Sequence, residues 1–351
     1  MIHDPEPGSE FLHFSDLLTG YRISAVLMTA HAAGVFASLA DGPVPGDTLC
    51  ARAGWDPEYG RRFLACLRGL GLLREVSGNF APTAFAETYL CPQAQRSQGQ
   101  TLAFEQQMAQ SWQQLDATLK AGQRVFETGD KSAEQLRQAR ERYMGAMDEA
   151  ARIRAAEVWD CFAALPPRGT ILDLGAGSGA YLLEFLQRFP AWSAIFCDLS
   201  ETVACARDHG LFAQWAGNLT WRGCNLLSEE PSEFDAVGAE SCDLTLLSNL
   251  IHCQGPTETE RLLRRAAAKT AAQGMIVVHD FFADCGWRGA LYDLHMMLNT
   301  YNGRTYALRE IVDMAARQGF RRHAARALAS GSTLLVLTRD ENMDGAGWER
   351  G

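Results

Sequence analysis

Three glycines at alternate positions follow a short apolar segment at residues 171–181, which read ILDLGAGSGAY. An apolar segment that ends in an acid, then closely spaced glycines and an aromatic residue, is typical of a β-strand that enters a tight turn and a helix. Glycine lets the backbone make this turn and lets a ligand approach without meeting a Cβ atom. We therefore expect a ligand-binding α/β fold.

Strand and helix patterns alternate after Pro166 and support this fold. Five β-type segments recur between helical stretches, namely TILDLG, AIFCDLS, LTWRGCNL, CDLTLLSNL and GMIVVHDFF. This alternation predicts a doubly wound, Rossmann-like parallel sheet over residues 166–340. Ligands of such sheets bind at the carboxyl ends of the strands, where the glycine turn lies. Residues 341–351 show no period and are predicted to form a loose tail.

The chain before the sheet has a different pattern. Apolar residues over 11–40 follow a helical period, with Gly20 and Gly34 as predicted interruptions. Two further helices follow, separated by a turn at residues 54–57, and then a hairpin. Together these elements predict a winged-helix-like unit.

We assign residues 1–97 to an all-helical, winged-helix-like dimerisation domain that carries this hairpin as its wing. Residues 98–165 are polar, studded with aromatics and helical in pattern, and we assign them to a helical connector between the two halves. Residues 166–340 then form the domain that contains the sheet. A DNA-binding winged helix is disfavoured, because the net charge is −10 and the arginines of this unit are few.

Composition limits the remaining classes of protein. The chain of 351 residues is 47% hydrophobic and 21% charged, which is enough apolar content for a sizeable core. No apolar run approaches the length of a membrane span and no signal-peptide pattern opens the sequence, so we expect a cytoplasmic protein without a membrane partner. The ten cysteines form no CxxC pair, which predicts reduced thiols.

Two cofactors use a glycine turn of this kind. A dinucleotide prefers the pattern G-x-G-x-x-G/A, which Gly175, Gly177 and Ala180 satisfy. S-adenosylmethionine requires an acid just ahead of the glycines, and Asp173 stands there. Both cofactors require a second acid after the next strand for the ribose hydroxyls, and Asp198 occupies that position. The glycines alone leave both cofactors open.

Several phrases in order resemble the O-methyltransferase family that includes plant caffeate and flavonoid enzymes and bacterial natural-product enzymes. The resemblance covers about residues 11–340. It is carried by LLTGYRISAVLMTAHAAGVFASLADGP, FLACLRGLGLL, DLGAGSG, FCDLS, LLSNLIH, GMIVVHDFF and DLHMMLNTYNGRTYALREIVDMAARQGF. It implies a homodimer joined through the N-terminal helices and a methyl group taken from S-adenosylmethionine, which leaves as S-adenosylhomocysteine.

The resemblance also implies which residues hold the cofactor. Asp173, Gly175 and Gly177 match the positions near its methionine and ribose portions, and Asp198 matches the ribose acid. In WRGCNLL, Asn225 and Leu226 fall where the family has an acid and an aromatic or Met beside the adenine. The amide oxygen of Asn225 could accept from the adenine amino group, or could cap a turn at the strand end.

His252 in SNLIHC falls on the catalytic histidine of the family, which implies a general base for the acceptor hydroxyl. Family histidines are oriented by two acids. The first position falls on Asp280, one methylene shorter than the usual glutamate, and the second on Thr305, which bears no charge. Asp280 is expected to orient His252 and to stabilise its protonated form.

A metal-assisted C-methyltransferase of the same fold is an alternative. His252, His279, Asp280 and His295 together could form a divalent-metal set. His279 and Asp280 are adjacent in a strand, however, and should point to opposite faces of the sheet. We therefore assign no metal ligand.

Aromatic and methionine side chains mark the predicted acceptor pocket and suit a planar aromatic or polyketide-like molecule. The resemblance places there Phe104, Met108, Trp112, Met147, Tyr292, Met296 and Asn299.

Two functions from other classes remain open at this point. A nicotinamide oxidoreductase would need a further substrate domain after the sheet and has no use for an N-terminal dimer module. A non-catalytic S-adenosylmethionine-binding regulator, or a DNA-binding protein, would keep the glycine turn but would not need His252.

Overall fold

The computed structural model describes residues 8–125, 132–162, 165–228, 234 and 242–339. The chain forms two compact units, which we call the N-terminal unit (residues 1–110 and 131–150) and the catalytic unit (residues 111–130 and 151–351). The domain boundaries predicted from the sequence remain predictions. The predicted loose tail at 341–351 lies outside the described residues.

The N-terminal unit contains the expected helix–turn–helix and hairpin. Gly54 ends one helix in the left-handed region, and Asp56 caps the next by accepting the backbone N–H groups of Glu58 and Tyr59. A third short strand joins the hairpin, in the order β1-β3-β2. The elements are α1 (Glu10–Ala32), α2 (Val35–Ser38), β1 (Val44–Pro45), α3 (Gly46–Ala53), α4 (Pro57–Gly69), β2 (Leu73–Val76), β3 (Asn79–Pro82), α5 (Ala84–Tyr89) and α6 (Gly99–Trp112).

The two predicted interruptions in the first helical segment have different outcomes. Gly34 has φ 70° and separates α1 from α2, as expected. The interruption predicted at Gly20 is wrong, because α1 runs through this residue without a break. A single glycine costs a helix only about 1 kcal/mol relative to alanine, so the neighbouring residues can keep the helix intact.

Within described residues 99–125 and 132–159, the regular structure is entirely helical, as the sequence predicts. Two helices follow α6, namely α7 (Leu115–Ala121) and α8 (Ala133–Trp159).

The catalytic unit is built on a seven-stranded sheet in the order β6-β5-β4-β7-β8-β10-β9. All five predicted strands are present and parallel, and the order reverses at β4, which places the ligand edge at the carboxyl end of that strand. Its elements are β4 (Thr170–Leu174), α9 (Ala180–Arg188), β5 (Ser193–Asp198), α10 (Ser200–Asp208), β6 (Leu219–Gly223), β7 (Cys242–Ser248), α11 (Pro256–Lys269), β8 (Thr270–Asp280), α12 (Trp287–Asn299), α13 (Leu308–Ala316), β9 (Arg321–Ala327) and β10 (Thr333–Thr338).

The last two strands are absent from the sequence prediction and run antiparallel to their neighbours. Strand β9 reads RRHAARA, and its side chains are exposed or half-buried at the edge of the sheet. It therefore lacks the apolar alternation by which a strand is identified in a sequence.

Apolar side chains cover both faces of the sheet and fix its position. One face packs against Trp159, Phe185 and Trp192, and the other against Leu262, Ile311 and Phe320. Burial on both faces explains why the central strands read as nearly continuous apolar runs. Among the described residues, no helix combines the length and the apolar character that a membrane span requires.

Candidate active site

The glycine turn after β4 lies at the carboxyl edge of the sheet. Gly175, Gly177 and Gly179 have positive φ angles of 76°, 57° and 81°. A Cβ atom would lie 2.9 Å from Leu250 on Gly175 and 2.7 Å from Phe212 on Gly179, so packing requires both glycines. A Cβ on Gly177 would meet no described atom within 4 Å. The space beside Gly177 is therefore open to a ligand.

Asp198 ends β5 and is held against this turn by the backbone. Its Oδ2 accepts the N–H of Gly177 at 2.8 Å, and its Oδ1 accepts the N–H of Leu199 at 2.7 Å. These bonds fix the plane of the carboxylate. Each oxygen retains a second lone pair, so Asp198 can still accept the hydroxyl groups of a ribose.

Asp173, on neighbouring β4, is 1% exposed. Its Oδ2 has no hydrogen-bond partner among the described residues. Burial, and then the negative charge of Asp198, raise the pKa of Asp173 to about 8. A buried acceptor without a donor is costly unless a ligand supplies the donor.

Asn249 provides a second buried oxygen of this kind, since its Oδ1 also lacks a partner in the described part of the chain. Its Nδ2 donates to the Tyr181 hydroxyl at 2.9 Å and to Ser248 Oγ at 3.2 Å. Burial raises the pKa of Tyr181 to about 12, and the negative charge of Asp173 adds to that rise while the positive charge of Arg154 opposes it. Tyr181 therefore accepts a hydrogen bond from Asn249, and its pKa depends on the charges of Asp173 and Arg154.

Tyr181, Asn249 and Arg154 are absent from the site predicted from the sequence. Tyr181 and Asn249 stand in the two phrases that contain the glycine turn and the predicted catalytic histidine, GSGAY and LLSNLIH. Asn249 has φ 50°, which is uncommon for a residue other than glycine and is not visible in a sequence. The guanidinium group of Arg154 lies 5.0 Å from the centre of the Phe281 ring, a contact that only the fold creates.

Asn225 and Leu226 follow β6. Asn225 is exposed, and its Oδ1 accepts the N–H of Leu227 at 2.9 Å, which is the turn-capping role that the sequence left open. Leu226 is 7% exposed and belongs to the core on one face of the sheet. Their contact with an adenine remains a prediction.

His252 and Asp280 lie together, as predicted. His252 stands in a short 3₁₀ turn after β7, and Asp280 ends β8. His252 Nδ1 lies 2.5 Å from Asp280 Oδ1, and the side chains are 5% and 0% exposed. The other oxygen of Asp280 accepts the backbone N–H of His252 at 3.4 Å. This arrangement orients the ring and directs Nε2 away from the acid.

The hydroxyl of Tyr292 lies 3.4 Å from His252 Nε2, the ring nitrogen that Asp280 does not contact. Burial alone would lower the pKa of His252, but the charge of Asp280, followed by smaller contributions from Tyr292 and Cys253, raises it well above the ordinary value. The charge of Asp280 therefore stabilises the protonated form of His252.

Thr305, at the second acid position, contacts a different carboxylate. Its backbone N–H and its hydroxyl both donate to Asp293 Oδ1, at 2.6 Å and 3.1 Å. Thr305 is 1% exposed. Its two bonds to Asp293 connect the loop before α13 to helix α12. Among the acids of the described residues, Asp280 is the one that bonds to His252.

His279 lies on the opposite face of β8 from Asp280, as its position in the strand predicts. Its Nδ1 is 2.9 Å from Ser248 Oγ and its Nε2 is 2.8 Å from Ser332 Oγ, so both ring nitrogens are in use. Burial, followed by the charge of Arg154, lowers the pKa of His279 to about 3. Among the described residues, no three His, Cys, Asp or Glu side chains are placed to hold one metal ion.

Aromatic rings form a column beside His252. Tyr292 lies edge-on to His252 with ring centres 5.0 Å apart, and it stacks on His295 at 5.6 Å. Trp112 also stacks on His295, with ring centres 6.3 Å apart. Asn299 donates to the backbone oxygen of His295, and Met296 is 5% exposed on the same helix.

The other predicted acceptor residues belong to the N-terminal unit. Phe104 packs edge-on against Tyr143 with ring centres 5.8 Å apart, and Met108 and Met147 are half-buried. Their role in acceptor binding remains a prediction.

The sequence matches two family models. Residues 15–92 match the O-methyltransferase dimerisation domain, and residues 103–321, more than half of the chain, match the O-methyltransferase domain. Both matches agree with the resemblance found in the sequence.

Individual relatives agree with these models. The chain is 26% identical to acetylserotonin O-methyltransferase of Bos taurus over 335 residues, covering 90% of this chain and 94% of the relative. It is 24% identical to the tetracenomycin polyketide synthesis 8-O-methyl transferase TcmO of Streptomyces glaucescens over 329 residues, covering 89% and 92%.

A solved structure shows the same fold. Human N-acetylserotonin methyltransferase in complex with SAM superposes with a TM-score of 0.79 at 22% identity, covering 97% of this chain and 99% of that one. The chain described here belongs to the O-methyltransferase family and is a methyltransferase that depends on S-adenosylmethionine.

Proposed function

We propose that this enzyme methylates a hydroxyl group of a planar aromatic or polyketide-like small molecule, with His252 as general base and Asp280 as the residue that orients it. The observation that carries the proposal is the buried 2.5 Å contact between His252 Nδ1 and Asp280 Oδ1, with a phenolic oxygen, that of Tyr292, 3.4 Å from the opposite ring nitrogen. An acceptor phenol would place its oxygen at the same nitrogen.

The unpaired buried atoms fit the cofactor. S-adenosylmethionine supplies a methyl group on a sulfonium and carries an ammonium and a carboxylate at its amino-acid end. Asp173 Oδ2 and Asn249 Oδ1 are buried acceptors without partners in the described structure, which suits an ammonium group. Arg154 supplies the positive charge that a carboxylate requires. Asp198, fixed by backbone N–H groups, suits the ribose hydroxyls.

The acceptor must lose a proton as its oxygen gains the methyl group. A phenol with a pKa near 10 needs about 4 kcal/mol to ionise at neutral pH, and a base at the reacting oxygen reduces that cost. His252 Nε2 takes the proton, and Asp280 stabilises the resulting imidazolium. Because one acid, and not two, supports the histidine, we expect acidic acceptors such as hydroxyquinone-type phenols to react fastest.

The second contribution to catalysis is the positioning of the acceptor. A sulfonium is an excellent leaving group, so the rate depends on holding the acceptor oxygen in line with the methyl group. The ring column of Trp112, His295 and Tyr292 offers flat faces against which a planar acceptor can be fixed. The acetylserotonin and tetracenomycin polyketide O-methyltransferases named above support the proposal of an aromatic or polyketide-like acceptor.

The alternative of metal-assisted C-methylation has less support from the geometry. Both ring nitrogens of His279 already contact serine hydroxyls, and His279 and Asp280 lie on opposite faces of their strand. A shared metal would require these side chains to reorganise.

The test is incubation with labelled S-adenosylmethionine and a panel of phenols that span about 3 pKa units, with mass spectrometry of the products. We expect O-methylated phenols and faster turnover for the more acidic acceptors. Methylation at carbon, retention of NADH or binding of duplex DNA in place of phenol methylation would each favour one of the other functions.

We also propose a homodimer that forms through helix α1. Its first four turns expose large apolar side chains, including Phe11 at 81% and Tyr21 at 67%, and exposed apolar surface of this kind marks an interface. Sedimentation at micromolar concentration should give the mass of a dimer. A monomer at that concentration would contradict this assignment.

A further inference from the structure

The imidazole of His295 is fixed in orientation but has no role in the chemistry described above. Its ring stacks with two aromatic side chains, with Trp112 at 6.3 Å and an interplanar angle of 30°, and with Tyr292 at 5.6 Å and 21°. Together with the contact of Asn299 at Nδ1, this packing restrains the orientation of the ring.

Asn299 determines which nitrogen of His295 carries the proton. Its Nδ2 donates to His295 O at 2.9 Å and lies 3.4 Å from His295 Nδ1, while its Oδ1 accepts from Ser111 Oγ at 2.9 Å. Since the amide is held with its N–H groups toward the histidine, Nδ1 acts as an acceptor. The ring proton therefore resides on Nε2.

His295 remains neutral at physiological pH. Burial lowers the pKa of His295, and the positive charge that His252 carries when it is protonated lowers it further. A neutral N–H donor is therefore present on a ring that stacks with Tyr292, which also contacts the proposed base.

The Nε2–H group makes no hydrogen bond within the part of the chain that the structure describes, although the side chain is half-buried. A half-buried donor of fixed direction gains most from an acceptor that a ligand supplies. Because the donor is neutral, it suits an uncharged oxygen such as a ketone or quinone carbonyl better than a carboxylate, which would pair more strongly with a cation.

We propose that His295 determines acceptor specificity by donating its Nε2–H to a second oxygen of the substrate, a carbonyl group on the same ring system as the hydroxyl that is methylated. The substrate class is then a hydroxyquinone or hydroxyaryl ketone. This inference rests on the proposed function, because it places the acceptor hydroxyl at His252 Nε2 and the aromatic plane of the acceptor beside the ring column.

The test compares a hydroxyaryl ketone with the matched hydroxyaryl alkane of the same skeleton. Binding of each to the complex with S-adenosylhomocysteine is measured by calorimetry, and kcat/KM is measured with S-adenosylmethionine. We expect the wild-type protein to prefer the ketone, and the ratio of the two affinities to fall by ~10- to 100-fold in His295→Leu. Differences in phenol acidity cancel because the same pair is used throughout.

Two variants separate donation from packing. His295→Gln keeps an N–H donor at the same depth and should restore much of the preference that His295→Leu loses. His323→Leu makes the same substitution in edge strand β9 and should leave the ratio unchanged. An unchanged ratio in His295→Leu, or equal loss in the Leu and Gln variants, would overturn the proposal.

Nitrogen-15 NMR of the wild-type histidines gives a second measurement that needs no variant. The proposal requires a neutral His295 with its proton on Nε2, and a shift of that signal when the ketone binds. A proton on Nδ1 would overturn it. If the ketone preference and the NMR shift are present but no phenol is methylated, the proposed function fails while this inference stands.

Discussion

Two ends of the catalytic unit lie at the same edge of one sheet but differ in how their polar groups are satisfied. At the cofactor end, which we define by Asp173, Gly177, Asp198 and Asn249, two buried oxygens have no partner among the described residues. These atoms are costly in the ligand-free protein and become satisfied only when a ligand donates to them.

At the acceptor end, defined by His252, Asp280, Tyr292 and His295, the groups that would perform the chemistry contact one another. His252 is held by Asp280 and meets the hydroxyl of Tyr292. The proposed base is therefore already oriented by contacts within the protein. The difference indicates that the cofactor supplies missing hydrogen-bond donors at the cofactor end. At the acceptor end, the acceptor replaces or adds to hydrogen bonds that His252 already makes.

The largest effect that separates the two ends is expected for Gly177→Val. A branched side chain would fill the open space beside the turn and would also be strained at φ 57°. Affinity for S-adenosylhomocysteine, measured by calorimetry, should fall by ~10³-fold or more, an estimate for a blocked site. The dimer should persist, because the substitution lies far along the chain from α1.

Gly210→Val is the matched control for strain. Gly210 has φ 66° and equally open surroundings, and it lies after α10. It should cost similar stability and leave cofactor affinity intact. Wild-type affinity in Gly177→Val would place the cofactor elsewhere.

The next largest effect concerns the acceptor end. In Asp280→Asn the amide can donate to His252 Nδ1, which would leave the proton on Nε2, the nitrogen that must accept one. Turnover should fall by ~10²- to 10³-fold with cofactor affinity nearly unchanged. Because the charge of Asp280 raises the pKa of His252, its loss should move the acid limb of the pH profile of kcat/KM to lower pH. An unmoved limb would show that Asp280 serves only to support the fold.

A smaller effect is expected for Asp173→Asn at the cofactor end, where the substitution should increase the stability of the folded protein. The folded protein holds the Asp173 proton up to about pH 8, whereas the unfolded chain loses it near 4. Stability from this group is therefore fully present below pH 4 and declines as the pH rises toward 8. Asparagine carries no such penalty, so at pH 7 the ligand-free variant should be more stable than the wild-type protein, measured by denaturant unfolding.

Proton release completes the test of Asp173. Binding of the positively charged cofactor should ionise Asp173, so calorimetry in buffers of different ionisation enthalpy should detect proton release near pH 7 in the wild-type protein. Asp173→Asn should bind more weakly and release fewer protons. Equal release in both proteins would contradict the placement of the cofactor charge at Asp173.

The two ends also differ in how much the sequence predicts. The glycine turn and Asp198 follow from backbone requirements, which leave a local pattern of residues in the sequence. The contact of His252 with Asp280 was implied by resemblance, and the fold brings the two together. The unpaired oxygen of Asn249 and the stacking of His295 depend on contacts between distant segments, so no local pattern reveals them. Edge strand β9 was missed for a related reason, since it lacks an apolar face.

The most direct test of the whole account is turnover of His252→Ala with a phenol of ordinary acidity, measured beside its affinity for S-adenosylhomocysteine. We predict that kcat falls by ~10²-fold or more while that affinity stays within about twofold, because a base acts on the transition state and not on the cofactor. His209→Ala, an exposed histidine after α10, serves as the matched control and should behave as wild type. Full activity in His252→Ala, with a rate that is flat across phenols of different pKa, would contradict the account and leave positioning alone as the source of catalysis.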